Sequence, residues 1–251
     1  MKPRIALQLY SVRREMSETP DETLAAIAQM GYPAVQLAGV AKDQVASLKR
    51  TLADLGLAIA GNHVGIARLE SALEEEIDLN LDLGNRDIIC PALPQGRRES
   101  EADFRAYADL IARIGARCSE RGCRFHYHNH AFEFVTFDGT YAMDILLGST
   151  DPRDVLFEPD VYWIHVGGAD PAAYIRRYPG RCPFIHIKDI DRTRDPSYAE
   201  IGAGTLDFAP IFAASEAVGA EWYVVEQDAS TKPMVESVEI SIRNLRAWGK
   251  L

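Results

Sequence analysis

The sequence predicts an α/β protein, a single (β/α)8 TIM barrel domain over residues 1–251, on three observations. Eight short apolar, β-rich runs alternate with longer stretches of helical periodicity, the pattern of parallel strands joined by crossover helices. The chain length of 251 residues matches eight such units closed into a barrel. The rival architecture, an open doubly wound sheet, carries a GxGxxG turn after its first strand, whereas here IALQLY runs into SVRREM.

In chain order the strand runs are IALQLYS (5–11), AVQLAG (34–39), LAIAGNHV (57–64), DIICPA (87–92), RFHYHN (124–129), VLFEPD (155–160), PFIHIKD (183–189) and WYVVEQD (222–228). Between the first two, Asp21-Glu22-Thr23 reads as the capped start of LAAIAQM and Gly31 as its C-cap. AKDQVASLKRTLADLG, LESALEEEIDLNLDLG and ESEADFRAYADLIARIGARCSERG place apolar residues three and four apart and end at Gly56, Gly84 and Gly122. YAMDILLG, DPAAYIRRYPG, DFAPIFAASEAVGA and SVEISIRNLRAWG complete the set.

A composition of 47% hydrophobic and 25% charged residues is that of a folded globular protein rather than a disordered one. The formal charge of −10 repels phosphate backbones and anionic membranes, so neither nucleic acid nor a membrane is an expected partner. The N-terminal MKPRIALQLYSVRREM lacks an apolar run long enough for a signal peptide or a membrane span, and the expectation is a cytoplasmic protein. The four cysteines form no CxxC pair and read as free buried thiols.

The loops that follow barrel strands build the active face. Chemistry-bearing residues gather at those ends: Asn62-His63, His128-Asn129-His130, Glu158-Pro159-Asp160, His186-Ile187-Lys188-Asp189 and Glu226-Gln227-Asp228. The stretch FHYHNHAFEF (125–134) alone spends three of the six histidines, His126, His128 and His130, at spacing two, which puts them on one face of a strand. Ionisable groups in a buried apolar strand need a partner or they lose their charge. A divalent cation is one partner they can share, because imidazoles and carboxylates from several strands make a mixed N/O site suited to Mn2+, Zn2+, Co2+ or Mg2+. Asp160, His186 and Glu226, at equivalent strand ends, are the expected ligands. His126, deeper in its strand, reads as a packed residue, and His165 as either a substrate contact or a loop histidine.

IALQLYSVR, GNHVGI, YHNHAFEF, FEPDVYWIHVGGADP, IHIKD, EIGAGTLDF and VVEQD together resemble the xylose isomerase-like TIM barrels, the sugar phosphate isomerase/epimerase family and its YHNH-motif branch. The resemblance spans nearly the whole chain. It implies a divalent metal held by Asp160, His186 and Glu226, with His128 standing where relatives carry a strand-5 glutamate and Glu133 as the competing fourth ligand. Strand 2 departs as well, ending in Gln36-Leu37-Ala38 where many relatives place an acidic residue.

What the resemblance implies functionally is a metal-dependent isomerase or epimerase acting on a sugar, keto-sugar or sugar phosphate, through proton abstraction and a metal-held enediolate. Glu226 or Glu133 is the expected base, and His128, as a neutral imidazole, is competent in proton transfer. His63 and His130 are expected to contact hydroxyls, and Trp163 with Tyr162 to wall the sugar. Lys188 either reaches a substrate oxygen or pairs with Asp189 or Asp160. Imidazole in place of a second carboxylate admits the alternative of a dehydratase or lyase on a keto-sugar or inosose. An endonuclease IV-like repair enzyme is disfavoured by charge, and a non-catalytic binding barrel predicts no metal. Relatives of this kind often assemble as homo-oligomers.

Overall fold

A computed structural model describes residues 2–193 and 197–251. Eight strands form one parallel sheet: β1 Arg4–Gln8, β2 Ala34–Leu37, β3 Ala58–His63, β4 Asp87–Cys90, β5 Arg124–His128, β6 Val155–Glu158, β7 Phe184–Ile187 and β8 Trp222–Val225. Their order is β6-β5-β4-β3-β2-β1-β8-β7. The ring closes between its two end strands, where Asp160 bridges to His186 in parallel. Phe157 N–H donates to the Arg181 carbonyl at 2.8 Å and His186 N–H to the Pro159 carbonyl at 2.9 Å across that seam. The eight runs read from sequence are these eight strands, and the (β/α)8 barrel is the fold.

Alternation along the strands decides what lies inside. Ile5, Leu7, Val35, Phe125, Tyr127, Phe157, Ile185, Tyr223 and Val225 join the core shared with the surrounding helices. Ala6, Ala34, Ala60, Phe184, Trp222 and Val224 form a separate apolar cluster in the barrel interior. Two residues further along their strands, Ala6, Ala34, Phe184 and Val224 give way to Gln8, Gln36, His186 and Glu226. Spacing two therefore converts an apolar floor into a polar rim on the same inward face.

The helices follow the expected pattern with three differences. The helix Pro20–Met30 takes Thr19 rather than Asp21 as its N-cap, because Pro20, with fixed φ and no N–H, suits the first helical position and moves Asp21 and Glu22 into the first turn. Its C-cap, Gly31, has φ of 92° as expected. LESALEEEIDLNLDLG forms two helices, Ile66–Ser71 and Leu73–Leu83, broken at Ala72 with φ −147°. Helices at Arg13–Glu18 and Val161–Val166 were not foreseen; the second, rich in β-branched and aromatic residues, is started by Asp160 Oδ1 accepting the Trp163 N–H at 3.1 Å. All four cysteines are free and buried. Among the described residues, no helix is long and apolar enough to cross a membrane.

Candidate active site

At the C-terminal mouth of the barrel, inward residues from β2, β3, β5, β6, β7 and β8 meet around Glu158, which is fully buried. Its Oε2 lies 2.8 Å from His63 Nε2, 3.1 Å from His128 Nδ1 and 3.2 Å from His186 Nε2. Its Oε1 accepts the Gln36 amide at 2.6 Å, and Gln36 in turn accepts Gln8 Nε2 at 2.7 Å. Burial works against ionisation of Glu158, but the His186 and His63 imidazoles hold its carboxyl well below the usual range.

The far nitrogens of two of those rings turn to a second pair of carboxylates. His128 Nε2 is 3.7 Å from Asp160 Oδ2, and His186 Nδ1 is 3.0 Å from Glu226 Oε2. One donor atom each from His128, Asp160, His186 and Glu226 falls within 4.8 Å of the others, and the same holds for His63, His128, Glu158 and His186. Asp160 Oδ2 is buried with no aligned hydrogen-bond donor. Lys188 Nζ sits 3.0 Å from that atom as an ion pair, 2.7 Å from Glu226 Oε2 and 2.9 Å from Asp228 Oδ2. Two imidazole nitrogens, two carboxylate oxygens and an under-satisfied buried oxygen among them fit a divalent cation.

The electrostatics sort the groups by protonation state. Burial, helped by the neighbouring His186, drives His128 well below the ordinary imidazole value, and burial takes His130 down to about 4. Burial alone would do the same to His186, but Glu158 and Glu226 reverse it and raise it to about 10. Burial pushes Asp160 up to about 6 against the pull of Lys188 and His186. Glu226, despite burial, is held well below the carboxylate range by Lys188 and His186.

A cavity of about 520 Å3 opens onto this cluster, walled by His63, His128, His130, Glu226 and Asp228 on its polar side and by Tyr10, Val40, Val64 and Pro91 on the other. The structure thus brings together His63, His128, His130, Asp160, His186, Lys188 and Glu226. Lys188 pairs with Asp160 but not with Asp189; its other partners are Glu226 and Asp228. Trp163 packs against His130, ring centroids 5.3 Å apart, and lies outside the cavity wall. His165 is in the last turn of Val161–Val166 and also lies outside that wall. His126 is buried in the lower barrel, 2.8 Å from Asp87 Oδ1, the packed residue it was read to be.

Glu133 is not brought into the cluster. Its carboxylate accepts the Tyr127 hydroxyl at 2.7 Å and the His130 N–H at 2.8 Å, capping the short 3-10 turn Ala131–Phe134. Tyr127 alternates with His126 and His128 and so faces the outer core, which draws Glu133 to that side. Burial raises Glu133 from 4.5 to about 8. A folded-state pKa above the unfolded one means the native protein binds the proton more tightly, so stability falls as pH climbs from about 4.5 to about 8. Glu133→Gln, neutral throughout, is expected to flatten that slope, which approaches about 1.4 kcal/mol per pH unit at its steepest. Urea titrations across this window check it; an unchanged slope would refute the account.

Two participants escaped the sequence reading. Glu158 and Gln36 sit at strand ends in view, yet their roles depend on which residues face them across the barrel. The available signal for Glu158 was its spacing of two from Asp160, which places both on the inward face.

A closed eight-stranded parallel barrel whose mouth gathers imidazoles and carboxylates into a cluster that could hold a cation defines the class, a (β/α)8 barrel with a polar C-terminal mouth. The chain belongs to the xylose isomerase-like TIM barrel family, whose sequence profile matches residues 24–248. It is 26% identical over 233 residues to the inosose dehydratase of Geobacillus kaustophilus, covering 78% of this chain and 75% of that protein. It spans about half the length of several other inosose dehydratases it matches. A crystal structure of a sugar phosphate isomerase/epimerase from Parabacteroides distasonis superposes with TM-score 0.87 and 26% identity, covering 100% of this chain and 96% of that one. A structure of the IOLI protein with a bound zinc atom superposes with TM-score 0.75 over 100% of this chain and 99% of that one; at 13% identity it shows the shared fold.

Proposed function

We propose that this chain is a divalent-cation-dependent sugar isomerase/epimerase that moves a proton at the carbon beside a carbonyl. The observation that carries the reading is the arrangement around Glu158. His128 Nδ1 lies 3.1 Å from that carboxylate, and His186 Nε2 lies 3.2 Å from it and 2.7 Å from the Gln36 amide oxygen, while the other ring nitrogens turn towards Asp160 and Glu226. A carboxylate that accepts the second N–H of an imidazole fixes its tautomer and aims the remaining nitrogen at a metal. The ligand set is therefore His128 Nε2, Asp160 Oδ2, His186 Nδ1 and Glu226 Oε2, supported by Glu158. When bound, such a cation polarises a substrate carbonyl and lowers the barrier to removing the neighbouring proton.

The chain's own groups supply the rest. Glu226 lines the cavity, and with its Oε2 anchored by His186 and Lys188 its other oxygen is the one assigned to take the proton. Lys188 keeps Glu226 ionised and oriented. His63 and His130 border the cavity, where neutral imidazoles can donate to or accept from hydroxyls. One carboxylate base suffices to carry a proton between adjacent carbons, whereas inversion at a single carbon needs a second group on the opposite face. His128 has both ring nitrogens committed in this arrangement, so the candidate for that second role is His130, which borders the cavity, has an unpartnered Nδ1 and is kept neutral by burial.

A second reading, elimination of water from a keto-sugar or inosose, is favoured by a specific placement. With Glu133 turned to the outer core, no second free carboxylate is available from β5, and the inosose dehydratases are among the similar proteins. Both reactions share the first step. Solvent deuterium appearing in recovered sugar or in its isomer supports isomerisation; an unsaturated product supports elimination; no exchange into any keto-sugar or inosose in the presence of Mn2+, Zn2+ or Co2+ defeats both. The ligand assignment has its own check, since Glu158→Gln is expected to weaken metal binding roughly 10–100-fold while leaving every ligand in place. Competition with a chromophoric chelator reads this directly, and an unchanged affinity would remove Glu158 from its supporting role.

A further inference from the structure

We propose that the sugar taken by this site is uncharged, because the loop in which barrels of this kind seat a phosphate is already filled by the protein's own carboxylate, Asp189. The inference rests on the functional reading above and narrows its substrate class. In (β/α)8 enzymes phosphate sites are commonly built from backbone amides in the loops after the seventh and eighth strands. Here the loop after β7 contains Ile201-Gly202-Ala203-Gly204-Thr205, a glycine pattern suited to such a cradle.

The amides of that loop point to Asp189, which stands just past β7 and is 1% exposed. Its Oδ2 accepts the N–H groups of Gly202 at 2.9 Å and Gly204 at 3.0 Å. Its Oδ1 accepts those of Ile190 at 2.8 Å and Leu206 at 3.1 Å. The glycines are explained by this internal anion: a Cβ on Gly204 would lie 2.3 Å from Asp189 Oδ1, and Gly202 has φ of +83°. The loop also borders a different cavity, of about 610 Å3 and walled by Phe208, Phe212 and Trp248, rather than the one lined by the histidines.

Charge in the histidine-lined cavity points the same way. Among its described lining residues Arg68 is the single cation, set against Glu76, Glu226 and Asp228. Arg68 is committed to Glu76 at 2.7 Å and Glu75 at 3.4 Å. Lys188 is enclosed by Asp160, Glu226 and Asp228. A phosphoryl dianion would have to take a cation away from these carboxylates and sit beside them, whereas sugar hydroxyls can donate to the same oxygens.

The test compares ribulose with ribulose 5-phosphate, and inorganic phosphate with chloride at matched ionic strength, by calorimetric titration of the metal-loaded protein and by its Tm. Inorganic phosphate is expected to give no saturable binding, and the ester to bind no better than the free ketose. Phosphate that stabilises the protein, or an ester bound or turned over in preference to its ketose, overturns the proposal. If no ketose is bound, the functional reading fails while the phosphate titration still decides this one. In Asp189→Ala, which exposes the four amides, phosphate is expected to raise Tm where it leaves the parent unmoved; indifference of that variant to phosphate would count against the cradle. Should the variant fail to fold, the titrations on the parent protein stand alone.

Discussion

Replacing Glu226 by Gln is expected to lower kcat by roughly 10^2–10^4-fold, the span usually lost with a positioned general base. The amide keeps the size of the side chain and can still contact His186 and Lys188, so fold and substrate affinity are expected to change far less than turnover. The readout is incorporation of solvent deuterium beside the carbonyl together with product formation, measured on variant protein whose metal content has been matched to the parent. Loss of exchange along with turnover places Glu226 at proton abstraction. A variant that retains full turnover would remove it from that role and move the base to the imidazole side of the cavity. The carboxylate is ionised across the neutral range because Lys188 and His186 outweigh burial, so activity controlled by Glu226 should not fall until pH drops well below neutrality.

The second large effect belongs to Lys188. The residue is 1% exposed, and its ammonium is the positive charge shared by Asp160, Glu226 and Asp228. Removing one partner of a buried ionic group leaves the others uncompensated and typically costs roughly 3–5 kcal/mol. Lys188→Met, close in volume but neutral, is therefore expected to destabilise the apo protein by about that amount. Divalent cations should recover part of the loss, because Asp160 and Glu226 then share the cation's charge. Urea unfolding with and without Zn2+ or Mn2+ measures both parts. A Lys188→Met protein as stable as the parent without metal would show that the three carboxylates are relieved by protonation or water rather than by this lysine. Burial already holds Asp160 up to about 6, so some relief by protonation is expected first at that residue.

Much of this architecture was legible in the sequence because its determinants are local. Strand runs such as IALQLYS and WYVVEQD are short, apolar and bounded by turn residues, and Gly31, Gly56, Gly84 and Gly122 each adopt the left-handed conformation that ends a helix. Where local signals compete, the reading slipped. Pro20 displaced Asp21 from the cap, and VYWIHV, with the composition of a strand, became a helix once Asp160 capped it. The same locality made the polar strand ends visible, since a spacing of two carries an inward apolar residue to an inward polar one. Asp160, His186 and Glu226 could thus be grouped before any coordinates, whereas His128 joined them only through the family resemblance, and Glu133, five residues further on, could not be told apart from it.

By itself the sequence determined the eight alternating units, the inward face of each strand and the inventory of imidazoles and carboxylates at the barrel mouth. Those features follow from backbone periodicity and capping within a few residues. Only the tertiary structure decided that Glu158 would gather His63, His128 and His186, that Lys188 would serve three carboxylates rather than Asp189, that Glu133 would turn to the outer core, and that Asp189 would fill the glycine loop. The physical reason is that each of these contacts depends on the stagger of strands around a closed ring. Gln36 and His186 meet across 150 positions of chain, and no local rule sets which oxygen then faces which nitrogen.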